Sequence, residues 1–239
     1  GYNRGCCDNI CYSGVADIFR LPKFSLSFFR TQIAEGSMLP SGKMPYEVFI
    51  PAYRDEILSD TVMVYGNVDE VELVLNGKTI RRQTADKGPD SDYIPVPNGG
   101  NGKNLHFPPF TFYGVSKERG VLKAVGYHQG KKVAEYTVKT PGVPERLDIT
   151  YFESGKPATK NDLLIVYVRM LDKQGVLCPV NGIPVELSVQ GGEIVGPTSY
   201  PLEAGVASFL VRTGEISKIN INATGKGFST RKSLKVGKE

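Results

Sequence analysis

The side chains able to do chemistry are few in this chain and poorly placed for it. Its two histidines, His106 and His128, lie on separate strand-like segments with no Ser or Cys motif beside either. An imidazole acts as base or nucleophile partner only with such neighbours, so both read as surface or packing residues. Three of the four cysteines, Cys6, Cys7 and Cys11, crowd near the start, far from Cys178. A zinc framework wants two well-spaced pairs, so no metal ligands are assigned and the thiols read as unpaired or partly buried. A vicinal Cys6–Cys7 disulfide would be strained, and a bridge from either to Cys11 stays open. Asp86, Asp90 and Asp92, interrupted by Gly88, could gather around Ca²⁺. Their order does not fit a helix–loop–helix calcium motif, and they read as a solvated acidic loop. Gly77-Lys78-Thr79 ends like a phosphate-binding loop, yet Glu72 stands where that motif requires a glycine, and the tripeptide falls on a hairpin.

Hydrolysis by paired acids sets two carboxylates across one scissile bond. Asp55-Glu56 and Asp69-Glu70 are adjacent acids, but neighbours on an extended chain point to opposite faces; no catalytic residue is assigned. Phe107, Phe110, Phe112 and Tyr113, beside Pro108 and Pro109, could form an exposed stacking strip, but core and bend is the plainer reading. The composition agrees with this scarcity. The 239 residues are 40% hydrophobic and 23% charged, enough for one or two cores and too apolar for disorder. A formal net charge of +4 points to no nucleic acid or membrane surface. No run approaches the roughly 20 apolar residues of a membrane span, and the start, Gly1-Tyr2-Asn3-Arg4, has no leader pattern and reads as a cut end. No cofactor is implied.

Three kinds of element must position whatever site exists. Residues 20–33 predict a helix, with Pro22 in its first turn and Leu21, Phe24, Phe28 and Ile33 on one stripe. It either ends a domain whose remainder lies elsewhere or packs on the β region that follows. Residues 36–42, rich in Gly and Pro, read as a linker. From 46 to 140 the pattern turns to short alternating or β-branched runs at 46–50, 61–65, 71–75, 78–82, 121–127 and 132–138. Asn76-Gly77 and Gln129-Gly130 sit at hairpin turns, and 86–103 reads as a surface loop. After a linker at 140–144, strands are expected at 146–152, 162–171, 184–189, 205–211, 217–223 and 229–236. Leu164, Val166, Val168 and Met170 should face the core. The expected fold is mainly β, two immunoglobulin-like β-sandwich domains at 46–140 and 145–239.

Three stretches carry a resemblance. Tyr2-Asn3-Arg4-Gly5, then Ser13-Gly14-Val15-Ala16-Asp17-Ile18-Phe19-Arg20-Leu21-Pro22-Lys23 and Phe28-Phe29-Arg30-Thr31-Gln32, resemble the end of the catalytic (β/α)₈ barrel of β-galactosidase-like glycoside hydrolase family 2 enzymes. Val64-Tyr65-Gly66-Asn67-Val68-Asp69-Glu70-Val71-Glu72-Leu73-Val74-Leu75-Asn76-Gly77-Lys78 is similar to the immunoglobulin-like domain that follows that barrel. Met170-Leu171-Asp172-Lys173-Gln174-Gly175 and Glu203-Ala204-Gly205-Val206-Ala207 are similar to bacterial immunoglobulin-like modules appended to such enzymes.

The resemblance implies that residues 1–36 are a helical remnant of the barrel and that the chain is a non-catalytic C-terminal region. Its partner would be an upstream barrel of the same chain, carrying two glutamates that cleave β-linked sugars with retention. The carbohydrate substrate would meet this region at most through Asp8 and Tyr12, on the last barrel loop; homo-oligomer contacts are a further role it allows. A periplasmic or extracellular site is suggested by the resemblance alone. The rivals are a carbohydrate-binding module and an adhesin-type spacer.

Overall fold

The computed structural model describes residues 14–52, 60–86, 105–152 and 157–237. Cys6, Cys7, Cys11, the Asp55-Glu56 pair, Asp90, Asp92 and nearly all of the 86–103 insert lie outside them. The chain divides into two compact units, Gly1–Thr140 and Pro141–Glu239.

The first unit contains helix α1 (Phe24–Thr31) and strands β1 (Met38–Leu39), β2 (Gly42–Lys43), β3 (Val48–Phe49), β4 (Val62–Gly66), β5 (Glu70–Leu75), β6 (Lys78–Thr84), β7 (Phe110–Phe112), β8 (Val121–His128) and β9 (Lys131–Lys139). β1 and β2 pair as a small hairpin; the others form a three-stranded sheet, β3-β4-β7, and a four-stranded one, β6-β5-β8-β9. Alternation decides what each strand buries. Val71, Leu73 and Leu75 of β5 turn inward with Leu122 and Ala124 of β8 and meet Val62, Val64, Phe110 and Phe112 in one core. The core reading therefore holds for Phe110 and Phe112. Both expected hairpins are present, with positive φ at Asn76 (51°), Gly77 (80°), Gln129 (49°) and Gly130 (76°), as a type I′ turn demands. Gly126 has a different reason to be glycine: a Cβ there would come within 2.7 Å of the Val48 side chain and 3.1 Å of Val68, so two core valines occupy its missing side chain.

The second unit has β10 (Arg146–Tyr151), β11 (Leu163–Leu171), β12 (Pro184–Gln190), β13 (Gly192–Ile194), β14 (Ser199–Pro201), β15 (Val206–Thr213), β16 (Lys218–Gly225) and β17 (Phe228–Lys235). Its two antiparallel sheets, β10-β11-β15-β13 and β14-β12-β16-β17, enclose a core in which Leu164, Val166, Val168 and Met170 pack with Val185, Leu187, Phe209, Ile219 and Ile221. The expected inward face of β11 is thus the observed one. The fold is mainly β, with sandwiches of immunoglobulin type in both units.

Two local expectations fail. The helix begins at Phe24, not residue 20, because Asp17 folds the preceding chain: its carboxylate accepts the Leu21 N–H at 2.8 Å, while its own N–H donates to the Leu21 carbonyl. This local bonding competes with helix formation. Arg20 adopts φ 63°, Pro22 forms an isolated bridge with Ala16, and Lys23 is the extended N-cap. Pro22 is therefore outside the first helical turn. Residues 36–42 are no bare linker either: the β1–β2 hairpin folds there, and Met44 after it is buried. The short β13 and β14 lie where no strand was expected, since runs of three residues carry too little alternation to read.

Candidate functional site

Asp8 and Tyr12, the two residues proposed from sequence to contact substrate, lie outside the described residues, and the structure does not test them. What it does show is a seam joining α1 to the first sandwich. Phe28 meets Tyr65 edge-on at 5.1 Å, and Phe24 meets Phe49 at 5.8 Å. Arg30, in the last helical turn, forms a two-point ion pair with Glu47; the Nε–Oε2 contact is 3.1 Å. The Gln32 amide donates to the Phe107 carbonyl (2.8 Å) and accepts the Phe107 N–H (3.1 Å). Buried Asn67 completes the seam. Its amide donates to the carbonyls of Ile33 and Pro45, both at 3.0 Å, and its oxygen accepts the Glu47 N–H at 2.6 Å. Of the two sequence readings of the helix, packing on the following β region is observed.

A cleft of about 380 Å³ opens beside this seam, between α1, β3 and β9. Arg30, Tyr46, Glu47, Phe49, Glu135 and Tyr136 line it. Both acidic residues of this lining are ion-paired. Glu47 is engaged by Arg30. Glu135 bonds Lys132 at 2.6 Å, and Lys132 with Lys123 holds it below the ordinary carboxylate range. A glycosidic acid must be raised instead, so that it carries a proton to donate.

Other acids among the described residues of the first unit are also engaged. Glu72 accepts from the hydroxyls of Thr79 (2.6 Å) and Tyr127 (2.7 Å), which keep it below its usual range. Asp69 accepts the Gln129 N–H and faces His128 Nδ1 at 3.1 Å, and the backbone bond is the larger cause of its lowered pKa. His128 also stacks on Tyr46 at 5.0 Å, and His106 contacts Phe107 edge-on at 4.5 Å; both histidines pack, as expected. Asp86 departs from the solvated-loop reading. Burial raises its pKa, while the Thr111 hydroxyl and N–H both donate to it.

Sequence reading missed one acid of the second unit. Asp172 is almost fully buried, and its carboxylate accepts the N–H groups of Gly142 (2.7 Å) and Val176 (2.8 Å). Burial opposes its ionisation, but these bonds with those from Gln174 and Gly175 prevail and lower its pKa. The signal was Asp at the first and Gly at the fourth position of a turn, Asp172 to Gly175. Below it lies free, buried Cys178, whose thiol is raised by burial and by Asp172. Among the described residues no three His, Cys, Asp or Glu side chains gather as a metal site, and no helix is long and apolar enough to cross a membrane.

Comparison with known proteins sets these features in a larger frame. Residues 59–134 match a family described as a domain of unknown function, DUF4982. A β-galactosidase of Thermoanaerobacter pseudethanolicus is 33% identical over 87% of this chain, which spans only 28% of that protein's length. A β-galactosidase sequence from Rhizobium radiobacter is 30% identical over 53% of this chain and 92% of its own length. A solved β-glucuronidase of glycoside hydrolase family 2 superposes over 95% of this chain and 23% of its own, with a TM-score of 0.74 and 22% identity; this likeness is one of fold. Identity over most of this chain, on relatives mostly several times longer, makes this chain part of a larger glycosidase, and it belongs to glycoside hydrolase family 2.

Proposed function

We propose that these residues form the non-catalytic C-terminal accessory region of a retaining, β-galactosidase-like enzyme. Residues 1–36 close a catalytic (β/α)₈ barrel, 46–140 form the first sandwich and 145–239 a second, appended one. The observation that carries the reading is the alignment: 87% of this chain accounts for 28% of a β-galactosidase. The α1 segment supports it. Phe29, Ile18 and Met38 are 58%, 66% and 73% exposed, an apolar surface that a preceding barrel would cover. Arg30, Asn67 and Gln32 would then transmit the barrel's position to the sandwich. Asp8 and Tyr12 would contact the carbohydrate at the barrel rim.

The test is enzymatic. The 239-residue chain should hydrolyse no chromogenic β-galactoside, and the longer protein containing it should. Turnover by the purified chain that survives a heat-killed and a mock-purified control overturns the reading.

A further inference from the structure

The two outer faces of the second unit carry their charges differently. On the β10-β11-β15-β13 sheet, cations meet acids in register: Arg169 bonds Asp148 at 2.5 Å, and Arg212 pairs with Glu193. The β16–β17 hairpin has no such match. From 218 to 235 the sequence carries Lys218, Lys226, Arg231, Lys232 and Lys235 and no acid. Ile219, Ile221 and Ala223 of β16 are buried in the core, so alternation sends Lys218, Asn220 and Asn222 outward. The β17 residues opposite them, Lys235, Ser233 and Arg231, share that face. Lys232 turns to the other side, its ammonium 5.7 Å from the centre of the Tyr151 ring. Among the described residues, Lys218, Arg231 and Lys235 have no ion-pair partner. Lys218 and Lys235 stand directly opposite each other, a destabilising like-charge pair that an anion between them would relieve.

The neutral groups around these cations narrow the ligand. β12 continues the face, and the register lines up Gln190, Asn220 and Ser233 in one row and Ser188, Asn222 and Arg231 in the next. Within the first row, Ser233 Oγ donates to the Asn220 side-chain oxygen at 2.7 Å. Glu186, opposite Thr224, is the one acid that these three strands turn outward, so three cations face one carboxylate. Amides and hydroxyls suit sugar hydroxyls, which both donate and accept, and a guanidinium forks onto a carboxylate. No ring projects from this side of β12, β16 and β17, and single-stranded nucleic acid is held by stacking on rings. An extended peptide adds to a sheet edge, not to a paired face. A densely sulfated chain would bring more anions than three cations can meet, whereas a polyuronate spaces one carboxylate per sugar among hydroxyls. We propose that the outer face of β12, β16 and β17 docks an extended polyuronate chain, with Lys218, Lys235 and Arg231 on its carboxylates and Ser188, Asn220 and Asn222 on its hydroxyls. This surface belongs to the second unit alone and does not depend on the accessory-region reading.

The experiment is a titration of the 239-residue chain, followed by backbone amide shifts, with sodium hexagalacturonate in buffer free of divalent cations. Saturable shifts are expected at Asn220, Asn222 and Ser233, and raising NaCl from about 50 to about 300 mM should weaken binding about tenfold. The neutral galactose hexamer of the same linkage should bind at least about tenfold more weakly. Arg231→Glu and Lys235→Glu, each at an exposed position, should each cost at least about tenfold in affinity, and Lys235→Arg should stay within about threefold of the unaltered chain. The amide spectra of the variants show directly that the sandwich is folded. No saturable shift up to about 10 mM overturns the proposal. Undiminished binding by both charge-reversal variants, or equal affinity for the neutral hexamer, overturns it as well. So does a thymidine hexanucleotide or a hexa-aspartate peptide that binds the same residues as tightly, because charge alone would then be recognised.

Discussion

The two sandwiches bury alternating strands in the same way but use their buried polar groups differently. In the first unit, Asn67 reaches out of the sheet to carbonyls at Ile33 and Pro45, and Gln32 clasps Phe107. In the second, the polar groups close the sandwich on itself. Thr213 donates to the Thr159 carbonyl and accepts the Asp162 N–H, and Asp172 gathers the backbone of its own turn and of Gly142. The first unit therefore uses these groups to hold an added segment, while the second uses them to tie its own turns and loops. This difference separates the ways in which the two units should fail.

The largest effect is expected in the second unit. Asp172→Ala takes the buried carboxylate away from the N–H groups of Gly142 and Val176, and each bond lost to a charged acceptor costs about 1.5–3 kcal/mol. Unit 141–239 should lose about 3 kcal/mol in denaturant unfolding, read by amide shifts so that the units are scored separately. The first unit should be unchanged. The sign of the pH dependence follows from the lowered pKa of Asp172. Its stabilisation is fully present above the ordinary unfolded value, about 3.9, and is lost as pH falls through the depressed folded value. Asp172→Asn should flatten that acid limb; an unchanged limb would show that another group controls it.

Asn67→Ala should come next, at about 2 kcal/mol in the first unit, because it strips an acceptor from Glu47 N–H and donors from two carbonyls. Hydrogen exchange should show where the loss falls. Protection should drop in α1 and residues 33–47 first, and the β5–β8 pair should keep its protection. Uniform loss across the sandwich would mean that Asn67 supports the core rather than the appended segment.

How much of this was legible in the sequence follows from distance along the chain. Val71, Leu73 and Leu75, or Leu164 to Met170, announce their inward faces because alternation is local. Asn76-Gly77 and Gln129-Gly130 announce their turns because positive φ is demanded within two residues. The start of the helix was misread because Pro22 fits a first turn equally well until Asp17 is seen to close on Leu21, and the helical stripe says nothing of that bond. The seam was not legible at all: Asn67 and Ile33 are 34 positions apart, Gln32 and Phe107 75, and no residue in either segment signals the other. The cleft follows from that seam, since it exists only where α1 is laid against β3 and β9.

The smallest effect tests how much the ion pair adds to the seam. The Arg30–Glu47 pair is partly exposed, with side-chain accessibilities of 38% and 26%, so solvent screening holds its worth to about 0.5 kcal/mol. Arg30→Ala should thus barely move the unfolding midpoint of the first unit, while α1 stays seated through Phe28, Gln32 and Asn67. Hydrogen-exchange protection of the α1 amides should likewise stay close to that of the unaltered chain. A variant that loses stability heavily, or whose α1 amides lose protection, would make Arg30 a strut of the helix.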